Sequence, residues 1–239
     1  MITLAGIHKT FEGNHVLRGL DLSVAKGESC VIIGGSGSGK SVLLKSILGL
    51  LSPDAGTITL DGTPVTASTR SDFMSRFGML FQGAALFDSM TVWQNVSFRF
   101  LRNMPNDKAR ALAIEKLAIV GLEADVADRY PAELSGGMQK RVGLARAIAA
   151  DPDVIFFDEP TTGLDPIRAA TINRLIRRVV TDLGVTAITI THDMTSVRAI
   201  ADQVAMLDDG VIRWTGTCAE MDASDDAVLG QFIRGDAGP

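Results

Sequence analysis

The segment Gly34-Gly35-Ser36-Gly37-Ser38-Gly39-Lys40-Ser41 has residue types and spacing suited to one kind of chemistry, the holding of phosphates. A glycine, four residues and then Gly39-Lys40-Ser41 follow the apolar, strand-like Val31-Ile32-Ile33 and lead into the helix-like Val42-Leu43-Leu44-Lys45-Ser46-Ile47-Leu48. In that order backbone N–H groups converge at a helix N-terminus, where the dipole favours negative charge. Side chains would block the approach of a phosphate, which is why glycines recur. Lys40 is placed to reach β- and γ-phosphates. The Ser41 hydroxyl would supply one of the few protein oxygens on a magnesium ion that keeps most of its waters. An ordinary glycine turn is the rival reading, disfavoured by the strand before it and the helix after it.

A second constellation, Val154-Ile155-Phe156-Phe157-Asp158-Glu159, sets two carboxylates at the end of a wholly apolar run. A buried parallel strand explains the apolar part but not the acids. At the C-terminal edge of such a sheet, Asp158 would face the magnesium beside the phosphate loop, and Glu159 would orient or deprotonate an attacking water. Acids that merely cap the next helix are the alternative.

The elements that must position these groups are legible in the pattern. Short strands expected over 2–11, 16–24 and 57–60, the last closing at the Asp61-Gly62 turn, make a small antiparallel layer. Apolar strand runs over 77–81, 154–157, 186–190 and 204–207 alternate with helical patterns, which means a parallel α/β core. Between about Asp88 and Ala150 the pattern is almost wholly helical, with apolar Leu112, Leu117 and Val120 on a helix over 107–120 and charge on its other faces. The expected division is therefore a nucleotide-binding core of residues 1–87 and 151–239, with a helical lobe, 88–150, inserted into it. Asp209-Gly210 turns a last strand pair, 204–207 against 211–215, a helix over 226–233 closes the chain, and 234–239 are expected to be loose.

At 239 residues the chain can bury a large core, as one large domain or two small lobes. Its net charge of −5 provides no broad basic field, so nucleic acid is not an expected partner. No apolar run approaches the roughly 18 residues of a membrane span, and Met1-Ile2-Thr3-Leu4 lacks the basic start of a signal peptide. Any transport role would need a separate membrane subunit. Cys30 and Cys218 fit neither a CxxC nor a metal pattern and read as reduced, mostly buried thiols; His8, His15 and His192 are too scattered to complete a zinc set.

Leu134-Ser135-Gly136-Gly137-Met138, directly ahead of a helix expected over 140–150, resembles the signature motif of the ATP-binding cassette (ABC) ATPases. The resemblance extends along nearly the whole chain. Phe11 stands where the family stacks an aromatic on adenine, Gln82 ends a strand as its Q-loop glutamine does, Gly163-Leu164-Asp165 matches its D-loop, and Thr191-His192-Asp193 matches its switch histidine. Taken singly, each has a plain rival. Phe11 could be a core aromatic, Gln82 a polar strand end, His192 a strand cap, and Ser135 with Gly137 a helix N-cap and a turn.

The family implies a P-loop ABC ATPase fold, α/β, with a parallel core, a small antiparallel β layer and an inserted helical lobe. It implies ATP and Mg2+ as cofactors, with Phe11, the run from Gly34 through Lys40 and Ser41 to Val42, and Ser135, Gly136, Gly137 and Asp165 at nucleotide. Ser41, Gln82 and Asp158 would hold magnesium, and Glu159, His192, Gln82 and Lys40 would serve catalysis. In the family the signature of one copy completes the site of a second, so two chains sandwich two ATP molecules head to tail, with Asp165 along the seam. Met138 stands where glutamine is usual, with Gln139 next; the serine and glycines are intact, so activity is expected to survive.

Lys40 to Lys45, with Val42 where many cassettes have threonine, is similar to the ATPase of Mla-type phospholipid transporters. So are Ser135 to Met138, Met79 to Val92, and the ending Gln231-Phe232-Ile233-Arg234-Gly235 with Gly238-Pro239. Those transporters maintain outer-membrane lipid asymmetry in Gram-negative bacteria. That resemblance implies a peripheral subunit on the cytoplasmic face of the inner membrane. Its partners would be a permease dimer, a periplasmic lipid-binding subunit and a small cytoplasmic regulatory subunit. The permease's coupling helix would be received at Gly83 to Asp88 and the helices behind it. The alternatives are a polar-solute importer, an efflux pump, or a non-transport cassette.

Overall fold

A computed structural model describes residues 1–235. Along the chain run β1 (Ile2–Phe11), β2 (Asn14–Val24), β3 (Ser29–Ile33), α1 (Lys40–Ile47), β4 (Ala55–Leu60), β5 (Thr63–Pro64) and α2 (Arg70–Ser75). There follow β6 (Phe77–Leu80), α3 (Val92–Val96), α4 (Asn106–Ile119), α5 (Gly136–Ile148), β7 (Val154–Asp158), α6 (Pro166–Leu183) and β8 (Thr186–Ile190). The chain continues through α7 (Met194–Ile200), β9 (Gln203–Asp208), β10 (Val211–Gly216), α8 (Cys218–Asp222) and α9 (Ala227–Arg234). Short 3-10 turns at Phe98–Phe100, Ala124–Asp128 and Pro131–Glu133 interrupt the helical stretch.

The chain divides into two compact units. The first comprises Met1–Met74 and Ile188–Pro239, and the second Ser75–Ala187. In the first, β2-β1-β4-β5 form a sheet in which β1 runs antiparallel to both β2 and β4. Alternation buries Ile2, Leu4 and Ile7 of β1, and the register shifts between Leu4 and Ile7, where Gly6 has φ 57°. The bulge brings backbones together: a Cβ on Gly56 would lie 2.2 Å from the Gly6 carbonyl oxygen, so only glycine fits there. The other sheet of this unit pairs β9 with β3 in parallel, Cys30 opposite Gln203 through Ile33 opposite Met206, with β10 antiparallel on its outer edge. β3 is buried along its length, as an inner parallel strand must be. Helix α1 turns Leu43, Leu44 and Ile47 inward.

In the second unit β6 and β7 pair in parallel, Phe77 opposite Val154 through Leu80 opposite Phe157, and the Phe77 ring meets Phe156 edge-on at 5.1 Å. The division falls within β8, with Thr186 and Ala187 in this unit and Ile188 to Ile190 in the first. Helix α5 lies so close to β6 that a Cβ on Gly78 would be 2.1 Å from the Ala147 carbonyl oxygen.

Several sequence expectations need correction. On α4 the buried face is Ala109, Ala113, Lys116 and Leu117, with Val120 just beyond, while Leu112 is only half-buried. Lys116 sits inside because its methylene stem covers apolar surface while the ammonium reaches Asp151 at 2.7 Å. Cys30 is fully buried, which pushes its thiol pKa up, whereas Cys218 is half-buried. Strand β6 ends at Leu80, so Phe81 and Gln82 lie beyond it. Of the terminal stretch expected to be loose, Arg234 closes α9 and Gly235 is its left-handed C-cap, and 236–239 lie outside the described residues. Among the described residues no helix is long and apolar enough to cross a membrane.

Candidate functional site

In the first unit β3 delivers the chain to the glycine loop. Gly34 has φ 154°, and a Cβ there would stand 2.2 Å from the Leu207 carbonyl oxygen and 2.9 Å from Ser38 Oγ. Gly37 and Gly39 hold φ of 79° and 104°, which L side chains adopt only under strain. Gly39 is the N-cap of α1, whose first turn carries no acidic residue, so the helix end is left to attract an anion. Lys40 folds back over its own loop, Nζ donating to the carbonyls of Gly34 at 2.7 Å and Gly35 at 2.6 Å. The loop thus forms a small ring with a cation at its centre. Exposed Gly35, Ser36 and Gly37 form its rim, and Ser41 is exposed and Val42 half-buried one turn away.

The same unit carries Phe11 and His192. Phe11, at the end of β1, is 42% exposed, and Lys9 Nζ stands 5.5 Å from its ring centroid. An exposed ring at a strand end offers a face on which a base can stack. His192 is exposed in the bend after β8. That bend is fastened on both sides. The Thr191 N–H donates to the Ile32 carbonyl at 3.4 Å, and Asp193 caps α7, accepting from the Thr195 N–H at 2.9 Å and the Ser196 hydroxyl at 2.6 Å. Thr191 is thereby tied to the strand that feeds the phosphate loop.

The second unit holds the acid pair, Gln82, the signature and the D-loop segment. Four buried residues of β7, Val154 to Phe157, end at half-buried Asp158. Burial and the neighbouring Glu159 raise the Asp158 pKa, against the opposing pull of the Lys140 ammonium. Glu159 has φ 47°, and the Thr162 hydroxyl donates to its carboxylate at 3.1 Å. A left-handed non-glycine residue costs about 1–2 kcal/mol, the kind of strain that accumulates where a side chain must be aimed.

Gln82 is exposed in a turn rather than at a strand end. Its carbonyl accepts from the ammonium of Lys140, which is 5% exposed. Burial lowers the Lys140 pKa, partly offset by Asp158 and then Glu159. Two turns along the same helix, Arg146 donates to the carbonyls of Ala85 at 2.7 Å and Ala84 at 2.6 Å. Both alanines are left-handed, with φ of 47° and 59°. Between the two cations Gly143 lets the end of β6 and the loop after it approach, since a Cβ there would be 2.7 Å from Leu80 Cδ1 and 3.3 Å from Ala84 Cβ. Buried Asn95 shapes the next stretch, accepting from the Phe87 N–H at 2.7 Å and donating to the carbonyls of Phe87, Met90 and Thr91, each at 3.1 Å. Phe87, 42% exposed, stacks on Phe98, 43% exposed, with centroids 4.6 Å apart.

Ser135 is the N-cap of α5, accepting from the Met138 N–H at 3.4 Å. A Cβ on Gly136 or Gly137 would meet only Leu164 at 3.9 Å or Arg168 at 3.8 Å, so packing alone does not demand glycine there. What glycine preserves is access to the first-turn amides, which lack intrahelical partners. Gln139 points back toward the preceding loop, donating to the Pro131 carbonyl at 2.9 Å. Asp165 caps α6, accepting from the N–H groups of Ile167 at 3.1 Å and Arg168 at 3.0 Å.

Lys40, Phe11 and His192 therefore belong to the first unit, and Gln82, Ser135, Asp158, Glu159 and Asp165 to the second. The Ser41 hydroxyl of the first unit and the Asp158 carboxylate of the second are each an oxygen donor of the kind a small hard cation accepts. Among the described residues no cluster of His, Cys, Asp and Glu makes an all-protein metal cage. Lys140, Arg146, Asn95 and Thr162 escape a motif reading. The available signal was faint: cations at 140 and 146 on the helix face that also carries Gly143.

Comparison with known proteins identifies the family. The ABC transporter family model matches residues 17–162. The "Probable ribonucleotide transport ATP-binding protein mkl" of Mycobacterium tuberculosis is 38% identical over 239 residues, covering 98% of this chain and 66% of that protein. The methionine import ATP-binding protein MetN of Ralstonia nicotianae is 42% identical over 219 residues, 88% of this chain and 62% of that one. An Arabidopsis thaliana chloroplast protein, trigalactosyldiacylglycerol 3, is 36% identical over 255 residues, 98% of this chain and 74% of that one. The chain thus spans about two thirds of the length of its curated relatives. Among solved structures, the cassette MJ0796, a dimer in a post-hydrolysis state with ADP and Pi, superposes with a TM-score of 0.81 at 29% identity, covering 91% of this chain and 98% of that one. The chain belongs to the ABC transporter family and carries that family's ATP-binding cassette ATPase domain.

Proposed function

We propose that this chain is the ATP-hydrolysing subunit of a bacterial ABC transporter that moves phospholipid between membranes. The observation that carries the ATPase part is the Lys40-centred glycine loop together with an N-capped signature helix and an acid pair aimed by a left-handed Glu159. In this reading Gly34 to Val42 and Phe11 hold ATP. Ser41, Gln82 and Asp158 hold Mg2+, which supplies charge neutralisation when bound. Lys40 steadies the transferring phosphoryl group, Glu159 aligns water, and His192 contacts the γ-phosphate. Residues 88–150 act as the signature-bearing lobe. Ser135, Gly136 and Gly137 complete the site of a second copy, so two chains work head to tail with Asp165 at the seam; that the MJ0796 cassette is a dimer supports the pairing of two copies.

Phospholipid as cargo rests on the likeness of Lys40 to Lys45 and Met79 to Val92 to Mla-type ATPases, and a relative whose name carries a glycerolipid supports it. A polar-solute importer is the second reading, favoured by relatives named for ribonucleotide transport and methionine import. The partners in the first reading are a permease dimer, a periplasmic lipid-binding subunit and a small regulatory subunit, with the chain on the cytoplasmic face of the inner membrane. Purification of the tagged protein from gently solubilised membranes, with mass spectrometry of proteins and lipids, tests this. Phospholipid with a permease and a lipid-binding subunit supports the first reading, a permease without lipid supports the second, and no membrane partner overturns both.

A further inference from the structure

Lys140 is a cation in a place where a cation is costly. It is 5% exposed on α5, immediately after the signature run, and its hydrogen bond goes to a backbone carbonyl, that of Gln82, rather than to a carboxylate. An ammonium has three donors, and its burial is tolerated where a hydrogen bond to it fixes a geometry. The same helix repeats the device at Arg146, whose guanidinium reaches the Ala84 and Ala85 carbonyls, with Gly143 admitting the loop between them.

We propose that Lys140 is a positioning residue for hydrolysis, holding the Gln82 peptide in place through its hydrogen bond to the Gln82 carbonyl. The inference rests on the roles proposed above for Gln82 and the acid pair. Lys140 itself touches no substrate. It acts through the backbone on which the Gln82 side chain is mounted. Its loss should therefore cost turnover more than nucleotide binding, because binding draws mainly on the glycine loop.

The test compares Lys140→Met, which keeps the stem and removes the charge, with Lys140→Arg, in the full chain. We expect Lys140→Met to lower kcat at least tenfold with KM for ATP changed less than twofold, and to speed amide exchange at 81–87 at least tenfold while exchange in α4 and α6 stays unchanged. Lys140→Arg should restore both. An unchanged kcat or unchanged exchange at 81–87 in Lys140→Met overturns the proposal, as does an equal loss in Lys140→Arg. Should Lys140→Met fail to fold, Lys140→Gln, which keeps a donor but no charge, takes its place: the same losses in kcat and protection are expected, and wild-type values of either overturn the proposal. Glu159→Gln in parallel separates the two failures: a wild-type rate there removes the underlying roles of the acid pair, whereas the exchange measurement tests the Lys140 tether without reference to catalysis.

Discussion

Lys40 Nζ donates to the carbonyl oxygen of Gly35 at 2.6 Å, five residues before it, so the cation of the phosphate loop is held by the loop itself. An incoming phosphate meets an ammonium already in position and competes with two carbonyls rather than with bulk water. Replacement by alanine removes both the charge and the ring it closes. Lys40→Ala should reduce ATP hydrolysis by about 10²–10³-fold and weaken nucleotide binding. Steady-state turnover with equilibrium binding of a fluorescent ATP analogue checks both.

Glu159 offers the cleaner separation of binding from chemistry. In Glu159→Gln the side-chain carbonyl still accepts from Thr162 while the carboxylate is gone, so the local backbone is retained. Hydrolysis should fall by about 10²–10³-fold while ATP binding and ATP-dependent dimerisation persist. Single-turnover hydrolysis and size-exclusion chromatography with ATP report the two, and a wild-type rate would remove Glu159 from its role.

Glycines in this chain are required for two different reasons, and the reasons predict different costs. At Gly78 a Cβ would be 2.1 Å from the Ala147 carbonyl oxygen, backbone against backbone, so Gly78→Ala should cost about 3 kcal/mol or more. At Gly37 nothing lies within 4 Å, and only φ of 79° opposes a side chain. Gly37→Ala should cost about 1–2 kcal/mol. Urea titrations of the two variants check the order.

Arg146 satisfies two carbonyls in a loop whose alanines are both left-handed. Arg146→Met keeps much of the volume and leaves those acceptors without a charged donor. The expected loss is about 2–4 kcal/mol, with faster amide exchange at 83–87. Thermal unfolding together with hydrogen exchange checks it, and a loss below about 0.5 kcal/mol would show that the strained turn holds without the arginine.

Two helix caps set an acid limit to stability. The Leu229 N–H, with Arg213 and the Val228 N–H adding to it, holds the Asp226 carboxyl below its ordinary pKa against slight burial. At Asp193 burial pushes the pKa up, but the Ser196 hydroxyl and the Thr195 and Ser196 amides outweigh it, so the net shift is down. A depressed carboxyl pKa contributes stability above the unfolded value, about 3.9, and loses it as pH falls through the folded value. Urea midpoints should therefore be flat between about pH 5 and 7 with respect to these groups and fall below about pH 4. Asp226→Asn should flatten the fall.

How far the sequence speaks depends on how local the cause is. The phosphate loop, β3, β7 and β8 are legible because glycine spacing and uninterrupted apolar runs are local consequences of close approach and two-sided burial. Burial at Lys116 is not, because its partner Asp151 lies 35 residues away and a lysine on a helix normally marks the solvent face. Lys140 and Arg146 are hidden for the same reason, with partners 58 to 62 residues distant. The left-handed Ala84 and Ala85 are illegible because alanine is disfavoured there, so no propensity points to that turn. Gln82 keeps its place in the motif order, although its strand ends one residue sooner than the apolar run suggests.

Val16 of β2 is approached by glycines from two separate loops. A Cβ on Gly39 would stand 3.2 Å from the Val16 carbonyl oxygen, and one on Gly210 2.5 Å from the same atom, while Arg18 donates its N–H to the Gly210 carbonyl at 2.9 Å. This makes β2 a built-in gauge. A side chain at either glycine would press on the same carbonyl, so one strand registers the packing of both loops.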